Sequence, residues 1–133
     1  SSAASDVYKR QLLHAPKIGI LNCHPGLLPY YRGCNCVEWA LYNKDKVGNT
    51  CHLMTKKIDQ GPIICSKVIN IQKCKDYFDV WIAVYLDSVK LISKAIEVIK
   101  KGNYKKNIKI GGKYWKIMKK SKLEKVINIF KND

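Results

Sequence analysis

The sequence predicts an α/β domain, and three observations support this prediction. Short apolar runs bounded by turn residues predict strands, as at Ile18 to Leu21 and Ile63 to Ile71. One long amphipathic helix is predicted to cover the sheet, because apolar residues recur alternately four and three positions apart: Phe78, Ile82, Tyr85, Val89, Ile92, Ile96 and Ile99. The 133 residues suffice for one domain with a sizeable core.

Local signals predict where the helices begin and end. A short helix is expected over Asn35 to Tyr42, with Val37, Ala40 and Leu41 on its inner side. Asp76 and Gly102 suit the start and the end of the long helix. The sequence Ser121-Lys122-Leu123-Glu124 is a capping box that predicts a last helix over residues 121–130. Before it, the basic residues 105–120 predict a short hairpin or an extended segment.

The segment Asn22-Cys23-His24-Pro25-Gly26-Leu27-Leu28-Pro29 indicates a functional site. Alternation along the preceding strand directs Asn22 and His24 to the same side. The two prolines restrict the turn that follows, and a catalytic side chain needs a fixed direction before the substrate arrives. Further along, Gly48 to His52 predicts a strand, and Asp59 lies in a Gly/Pro loop. An amide, an imidazole and a carboxylate are together the components of an acyl-transfer site.

These motifs, Asn22 to Pro29, Gly48 to His52 and Asp59 to Gly61, resemble the folate-dependent formyltransferases in order and separation. That family includes glycinamide ribonucleotide, methionyl-tRNA and nucleotide-sugar formyltransferases. The resemblance covers Leu12 to Ile69 and implies a partial Rossmann-like three-layer domain with a mainly parallel sheet and a small helical C-terminal extension.

The resemblance also implies an N-terminally truncated fragment. Residues 1–11 are expected to be a non-native or disordered leader. Residues 12–102 would form the C-terminal part of the catalytic domain, and residues 103–133 would be a basic extension that packs on it. We expect the fragment alone to be poorly active, because the donor pocket would lose one wall.

The resemblance implies a transferase of one-carbon metabolism that moves a formyl group from 10-formyltetrahydrofolate to an amine through a tetrahedral intermediate. Asn22 would donate its amide to the oxyanion, and His24 would stabilise that oxyanion and help to move protons. Asp59 would orient or charge His24 and accept the proton that the amine loses. Thr50 and Gly61 would support these residues.

Two residues have two interpretations each, and the acceptor is open. His52 either supports His24 or makes a purely structural hydrogen bond. Arg32 either anchors a phosphate of the acceptor, which its planar fork suits, or is an ordinary exposed loop residue. Within the resembled family, Asp59 to Ile64 is similar to the glycinamide ribonucleotide branch, whereas Tyr31-Arg32-Gly33 with Trp39-Ala40-Leu41 is similar to the tRNA and sugar branches.

The charge is strongly positive and unevenly distributed. The net charge is +15, and residues 90–133 hold 14 lysines against three acidic residues. With Tyr104, Tyr114 and Trp115 among them, these lysines suggest a nucleic-acid surface and tRNA as a possible partner. The alternative is that the lysines merely fill solvent-exposed positions, because an A/T-rich coding sequence favours lysine. A positive electrostatic field around the protein would also suit an anionic amine substrate. The competing function is a basic nucleic-acid-binding module on an inactive formyltransferase scaffold.

The six cysteines are predicted to be reduced thiols. Cys34-Asn35-Cys36 has one intervening residue, where structural zinc sites have about two to four, so we expect no metal. The cysteines fall on predicted strands and no signal peptide is visible, which indicates a cytoplasmic protein. No apolar stretch reaches about 18 residues, so we expect no membrane span. The oligomeric state is not predicted.

Overall fold

The computed structural model describes residues 19–56, 61–106 and 111–131. The elements follow in this order: β1 (Leu21–His24), β2 (Arg32–Gly33), α1 (Cys36–Tyr42), β3 (Gly48–Leu53), β4 (Ile63–Val68), α2 (Tyr77–Lys101), β5 (Tyr114–Trp115), α3 (Lys120–Asn128) and a 3-10 turn (Ile129–Lys131). The α/β class is therefore confirmed. The predicted leader and Asp59 lie outside the described residues.

The strands of the main sheet run antiparallel, which corrects the expectation of a mainly parallel sheet for this part of the chain. The strand order is β1-β3-β4, and both neighbouring pairs are antiparallel. A parallel pair needs a crossover of a dozen or more residues, and only residues 54–62 connect β3 to β4. Within the described ranges, β2 and β5 form the parallel pair. The C-terminal segment that contains β5 therefore lies next to β2, which follows the predicted site in the sequence.

Strand β3 is the centre of the sheet, because all six of its residues are buried between β1, β4 and helix α2. One apolar cluster lies between the sheet and the C-terminal half of α2: Cys51, Leu53, Ile64, Leu91 and Ala95. A second cluster joins α1 to the N-terminal half of α2, and Met118 and Val126 of the C-terminal segment are buried in it.

Helix α2 buries the face opposite to the one that its sequence predicted, so that prediction was wrong. Phe78 is 72% exposed, and most of the predicted stripe is exposed with it: Ile82, Tyr85, Val89, Ile92 and Ile96. The buried face has fewer apolar residues than the exposed stripe, and none of them is aromatic: Val80, Val84, Leu91 and Ala95. Both sets recur with a helical period, and short side chains allow a helix to approach a sheet closely. The outer face of α2 is thus an exposed apolar stripe.

The ends of the helices test the local predictions. Gly102 is left-handed, so the predicted C-cap of α2 is confirmed, and α2 starts where Asp76 predicted it. The carboxylate of Asp76 is in addition an N-cap that accepts a hydrogen bond from the Asp79 N–H at 2.7 Å. Helix α1 is also confirmed, with its predicted inner residues buried. The prediction that Ser121 caps the last helix was wrong. Helix α3 begins at Lys120, because the carbonyl of Lys119 already accepts a hydrogen bond from the N–H of Leu123.

Strand β4 ends at Val68, earlier than predicted. The N–H of Ile69 donates to the carbonyl of Val47, the residue before β3, at 2.8 Å, and the side chain of Ile69 is buried in the α1 cluster. In the ranges that the structure describes, no helix combines the length and the apolar character needed to cross a bilayer.

Candidate functional site

The pairing of β1 with β3 brings four of the predicted site residues together. Asn22 lies opposite His52, and His24 lies opposite Thr50. Side chains two positions apart on a strand share a face, so these four belong to one face of the sheet. The ring centroids of His24 and His52 are 6.5 Å apart, in an edge-to-face arrangement.

The amide of Asn22 is held by His52. Its Nδ2 donates to Nε2 of His52 at 3.2 Å, and Nδ1 of His52 donates to the carbonyl of Leu53 at 3.3 Å. This pair of contacts requires a neutral His52 imidazole that carries its proton on Nδ1. Because an amide nitrogen has two N–H groups, Asn22 keeps one donor for another acceptor. The structure places His52 against Asn22, and a supporting role of His52 beside His24 stays a prediction.

The imidazole of His24 is held by the turn that follows it. His24 is 5% exposed, and its Nε2 donates to the carbonyl of Tyr31 at 2.7 Å. The same carbonyl accepts from the thiol of Cys36 at 3.3 Å. A Cβ at Gly26 would lie only 2.8 Å from Nε2 of His24, so the turn packs directly against the ring. The Leu28–Pro29 peptide bond in this turn is cis.

Thr50 connects β3 to this turn. Its buried hydroxyl donates to the carbonyl of Gly26 at 2.7 Å and accepts from the N–H of Leu28 at 3.0 Å. Two backbone groups that would otherwise be buried without partners are therefore satisfied by one side chain. Thr50 thus fixes the segment after β1, and this segment holds the imidazole of His24.

We expect Thr50→Val to lower the free energy of unfolding by about 1–3 kcal/mol, because valine keeps the shape but leaves two buried backbone groups unpaired. Chemical denaturation measures this difference. Thr50→Ser is the matched control, because serine retains the hydroxyl and should recover most of the loss. Equal stability of the valine variant and the unsubstituted protein would contradict the assigned contact.

Gly61 lies against the end of β3. A Cβ at Gly61 would be 1.6 Å from the carbonyl oxygen of Leu53, and the N–H of Leu53 donates to the carbonyl of Pro62 at 2.9 Å. The segment after Asp59 is therefore attached next to His52. The position of Asp59 itself lies outside the described residues, so its role stays a prediction.

Arg32 contacts the C-terminal segment. Its Nη1 donates to the carbonyl of Gly112 at 3.1 Å, and its guanidinium lies 6.0 Å from the ring centroid of Tyr114. In this arrangement Arg32 joins β2 to the residues before β5. Binding of an acceptor phosphate by Arg32 stays a prediction.

The sequence interpretation missed Tyr31. Its backbone carbonyl holds His24, and its hydroxyl donates to Asp45 at 2.8 Å. Burial raises the pKa of Tyr31, which keeps the hydroxyl protonated as a donor, and this hydrogen bond lowers the pKa of Asp45. A contact through a backbone carbonyl leaves no signal in residue types, so only the fold reveals it.

The other face of the sheet carries a row of thiols. Cys23, Cys51 and Cys65 occupy neighbouring strands at paired positions. The hydrogen bond from Cys51 lowers the pKa of Cys23, and the same bond raises the pKa of Cys51. All six cysteines are free thiols. Among residues 19–56, 61–106 and 111–131, no cluster of three or more His, Cys, Asp or Glu side chains is arranged to hold a metal ion.

Comparison with known proteins agrees with the fold and shows the family. The sequence model of the formyl transferase family matches residues 6–96. A methionyl-tRNA formyltransferase from Borreliella afzelii is 36% identical over 97 residues, which are 72% of this chain and 31% of the relative. The 4-N formyltransferase from Francisella tularensis has 33% identity and a TM-score of 0.61, with 74% of this chain and 40% of that chain covered.

A third comparison extends the likeness of fold. The formyltransferase PseJ from Anoxybacillus kamchatkensis, solved with UDP-4,6-dideoxy-4-formamido-L-AltNAc and tetrahydrofolate, has a TM-score of 0.67 at 19% identity. The alignment covers 86% of this chain and 67% of PseJ.

The fold and the matched motifs together define an α/β protein of the formyl-transferring class. The chain belongs to the formyl transferase family, as the match over residues 6–96 shows. It covers 31% of the length of the Borreliella relative. The resemblance stated from the three sequence motifs is confirmed.

Proposed function

We propose that this chain carries the catalytic motifs of an enzyme that transfers a formyl group from 10-formyltetrahydrofolate to an amine. One observation carries the proposal: Asn22 and His24 share a sheet face, and each is oriented by a buried partner, His52 and the Tyr31 carbonyl respectively. Donors fixed in this way need no reorganisation when charge develops on a substrate. Family membership, and the tetrahydrofolate bound to PseJ, support the choice of donor.

The proposed reaction begins when the amine nitrogen attacks the formyl carbon and the carbonyl oxygen becomes an oxyanion. The remaining N–H of Asn22 and the ring of His24 stabilise this oxygen; a preorganised donor commonly contributes about 2.7–4 kcal/mol. The proton lost by the amine goes to Asp59, directly or through one water. The bond from carbon to N10 then breaks, N10 takes up this proton with the help of His24, and tetrahydrofolate leaves.

The acceptor is proposed to be an amine that carries phosphate. Nucleotide sugars, glycinamide ribonucleotide and methionyl-tRNA share this property, and the net charge of +15 favours the approach of all three. A cytoplasmic location, proposed from the free thiols, agrees with folate and these acceptors as partners.

The test is an assay of the longest form of the protein that its gene encodes. We expect 10-formyltetrahydrofolate to be converted to tetrahydrofolate in the presence of one of the three acceptor classes, with one equivalent of formylated amine. Tetrahydrofolate should also raise the thermal unfolding temperature as its concentration increases. Salt-sensitive binding of tRNA, without turnover and without any folate effect, would instead support the nucleic-acid-binding module.

A further inference from the structure

A pocket of about 600 Å³ lies on the outer side of the β2–β5 pair, between α1 and the start of α3. Its floor is aromatic and consists of Trp39, Tyr42, Tyr114 and Trp115. Four lysines surround this floor, namely Lys113, Lys116, Lys119 and Lys122, and no acidic residue of the described ranges lines it. In the described parts of the chain, none of these four lysines forms an ion pair. The pocket therefore presents flat apolar faces next to uncompensated positive charge.

The aromatic floor is rigid. The indole N–H of Trp39 donates to the Lys116 carbonyl at 2.8 Å, and that of Trp115 donates to the Tyr30 carbonyl at 3.0 Å. The two indole centroids are 5.1 Å apart, within direct contact, so no third ring fits between them. Because both N–H groups are occupied, the indoles can offer their faces to a ligand but not their donors. A flat ring would stack on the solvent side of this floor.

The lysines are already close to that stacking position. The Nζ of Lys113 lies 3.9 Å from the ring centroid of Trp115, and the Nζ of Lys122 lies 5.1 Å from that of Trp39. Such contacts at exposed sites are weak, about 0.5–1 kcal/mol, so a phosphate competes effectively for the same ammonium groups. A ligand that places an aromatic ring on the floor would thus have its phosphates within reach of the lysines.

The pocket is connected to the candidate site through Tyr31. The ring of Tyr31 stacks on Trp115 at 5.3 Å between centroids, while its carbonyl accepts the hydrogen bond from His24. Two residues, Trp115 and Tyr31, therefore connect a ligand in the pocket to the imidazole that the proposed reaction uses.

We infer that this pocket binds a nucleoside diphosphate, with the base stacked on the aromatic floor and the phosphates bound by the four lysines. The volume suits one nucleotide, because pockets for ligands of that size measure about 300–1,000 Å³. As an account of how the acceptor is held, the inference rests on the proposed function, and it favours nucleotide-linked amines. Binding of the nucleotide itself requires no folate and no formyl transfer.

The test measures binding of UDP and of dTDP to the 133-residue chain by calorimetry and by tryptophan fluorescence. We expect both nucleotides to quench Trp39 and Trp115, while Trp81, whose indole N–H is bound to Tyr77, continues to emit. The double variant Lys116→Ala/Lys119→Ala should raise the Kd at least about tenfold. Both side chains are exposed, and only their backbone carbonyls take part in the contacts above.

The matched control is Lys90→Ala/Lys101→Ala, which removes the same charge from exposed positions on α2 and should change the Kd by less than about twofold. The inference is overturned if neither nucleotide binds at about 1 mM, if inorganic pyrophosphate binds as tightly as UDP, or if the two double variants behave alike. Binding of a single-stranded oligouridylate without binding of UDP would also overturn it, in favour of an RNA surface. Loss of formyl transfer with intact UDP binding would count against the proposed function alone.

Discussion

Alanine in place of His24 or Asn22 is expected to lower formyl transfer at least about 10²-fold in the longest form of the protein. Each substitution removes one of the two preorganised groups that the proposed mechanism places at the oxyanion. The fold should survive the loss of His24, because the Tyr31 carbonyl keeps the thiol of Cys36 as a donor. In Asn22→Ala, His52 loses one neutral hydrogen bond, at a cost of about 1 kcal/mol.

The measurement is the single-turnover rate with saturating 10-formyltetrahydrofolate, together with the thermal unfolding temperature of each variant. Asp59→Ala belongs in the same series, with the same expected fall, because Asp59 is the proposed proton acceptor. Asn103→Ala, at an exposed position after α2, is the control and should leave the rate unchanged. Near-normal turnover by any of the three alanine variants would show that its residue does not have the proposed role.

Gly61→Ala is expected to lower both stability and turnover. A Cβ at this position would lie 1.6 Å from the carbonyl oxygen of Leu53 and 2.8 Å from the carbonyl carbon, and backbone atoms cannot be displaced cheaply. Relief requires the segment that leads from Asp59 to move away from β3 and to break the hydrogen bond between Leu53 and Pro62. We expect a loss of about 1–3 kcal/mol in the free energy of unfolding.

The effect on turnover should be larger, about 10²-fold, because misplacement of a catalytic group by about 1 Å has an effect of that size. Gly111→Ala is the matched control, since a Cβ at Gly111 meets no atom of the described residues within 4 Å. It should change stability by less than about 0.5 kcal/mol. If the two alanine variants unfold at the same denaturant concentration, the close approach of Gly61 to Leu53 is wrong.

The sequence predicted features that depend on neighbouring residues. The start of α2 at Asp76, its end at Gly102 and the short helix α1 follow from hydrogen bonds and packing within one or two turns. The common direction of Asn22 and His24 follows from the two-residue period of a strand. The three motifs also sufficed to recognise the family. Each of these features is encoded within a short stretch of chain, so residue types and spacing reveal it.

Other features depend on contacts between distant residues, and only the tertiary structure decided them. Helix α2 has two apolar faces with the same period, and the close fit of Leu91 and Ala95 against the sheet determines which one is buried. The antiparallel pairing of β1 with β3 depends on which strand edges meet in the fold. The alternation of residues within one strand does not specify this choice.

The same distinction applies to the candidate site. The sequence by itself determined that an amide and an imidazole leave one strand on the same side, because that geometry is local. Only the fold decided that His52 holds the amide of Asn22 and that the Tyr31 carbonyl holds His24. It also brought Trp115 onto Trp39, 76 positions away in the sequence, to form the pocket with the lysines. Hydrogen bonds to backbone carbonyls and contacts over such separations carry no residue pattern, because they arise when separate elements pack together.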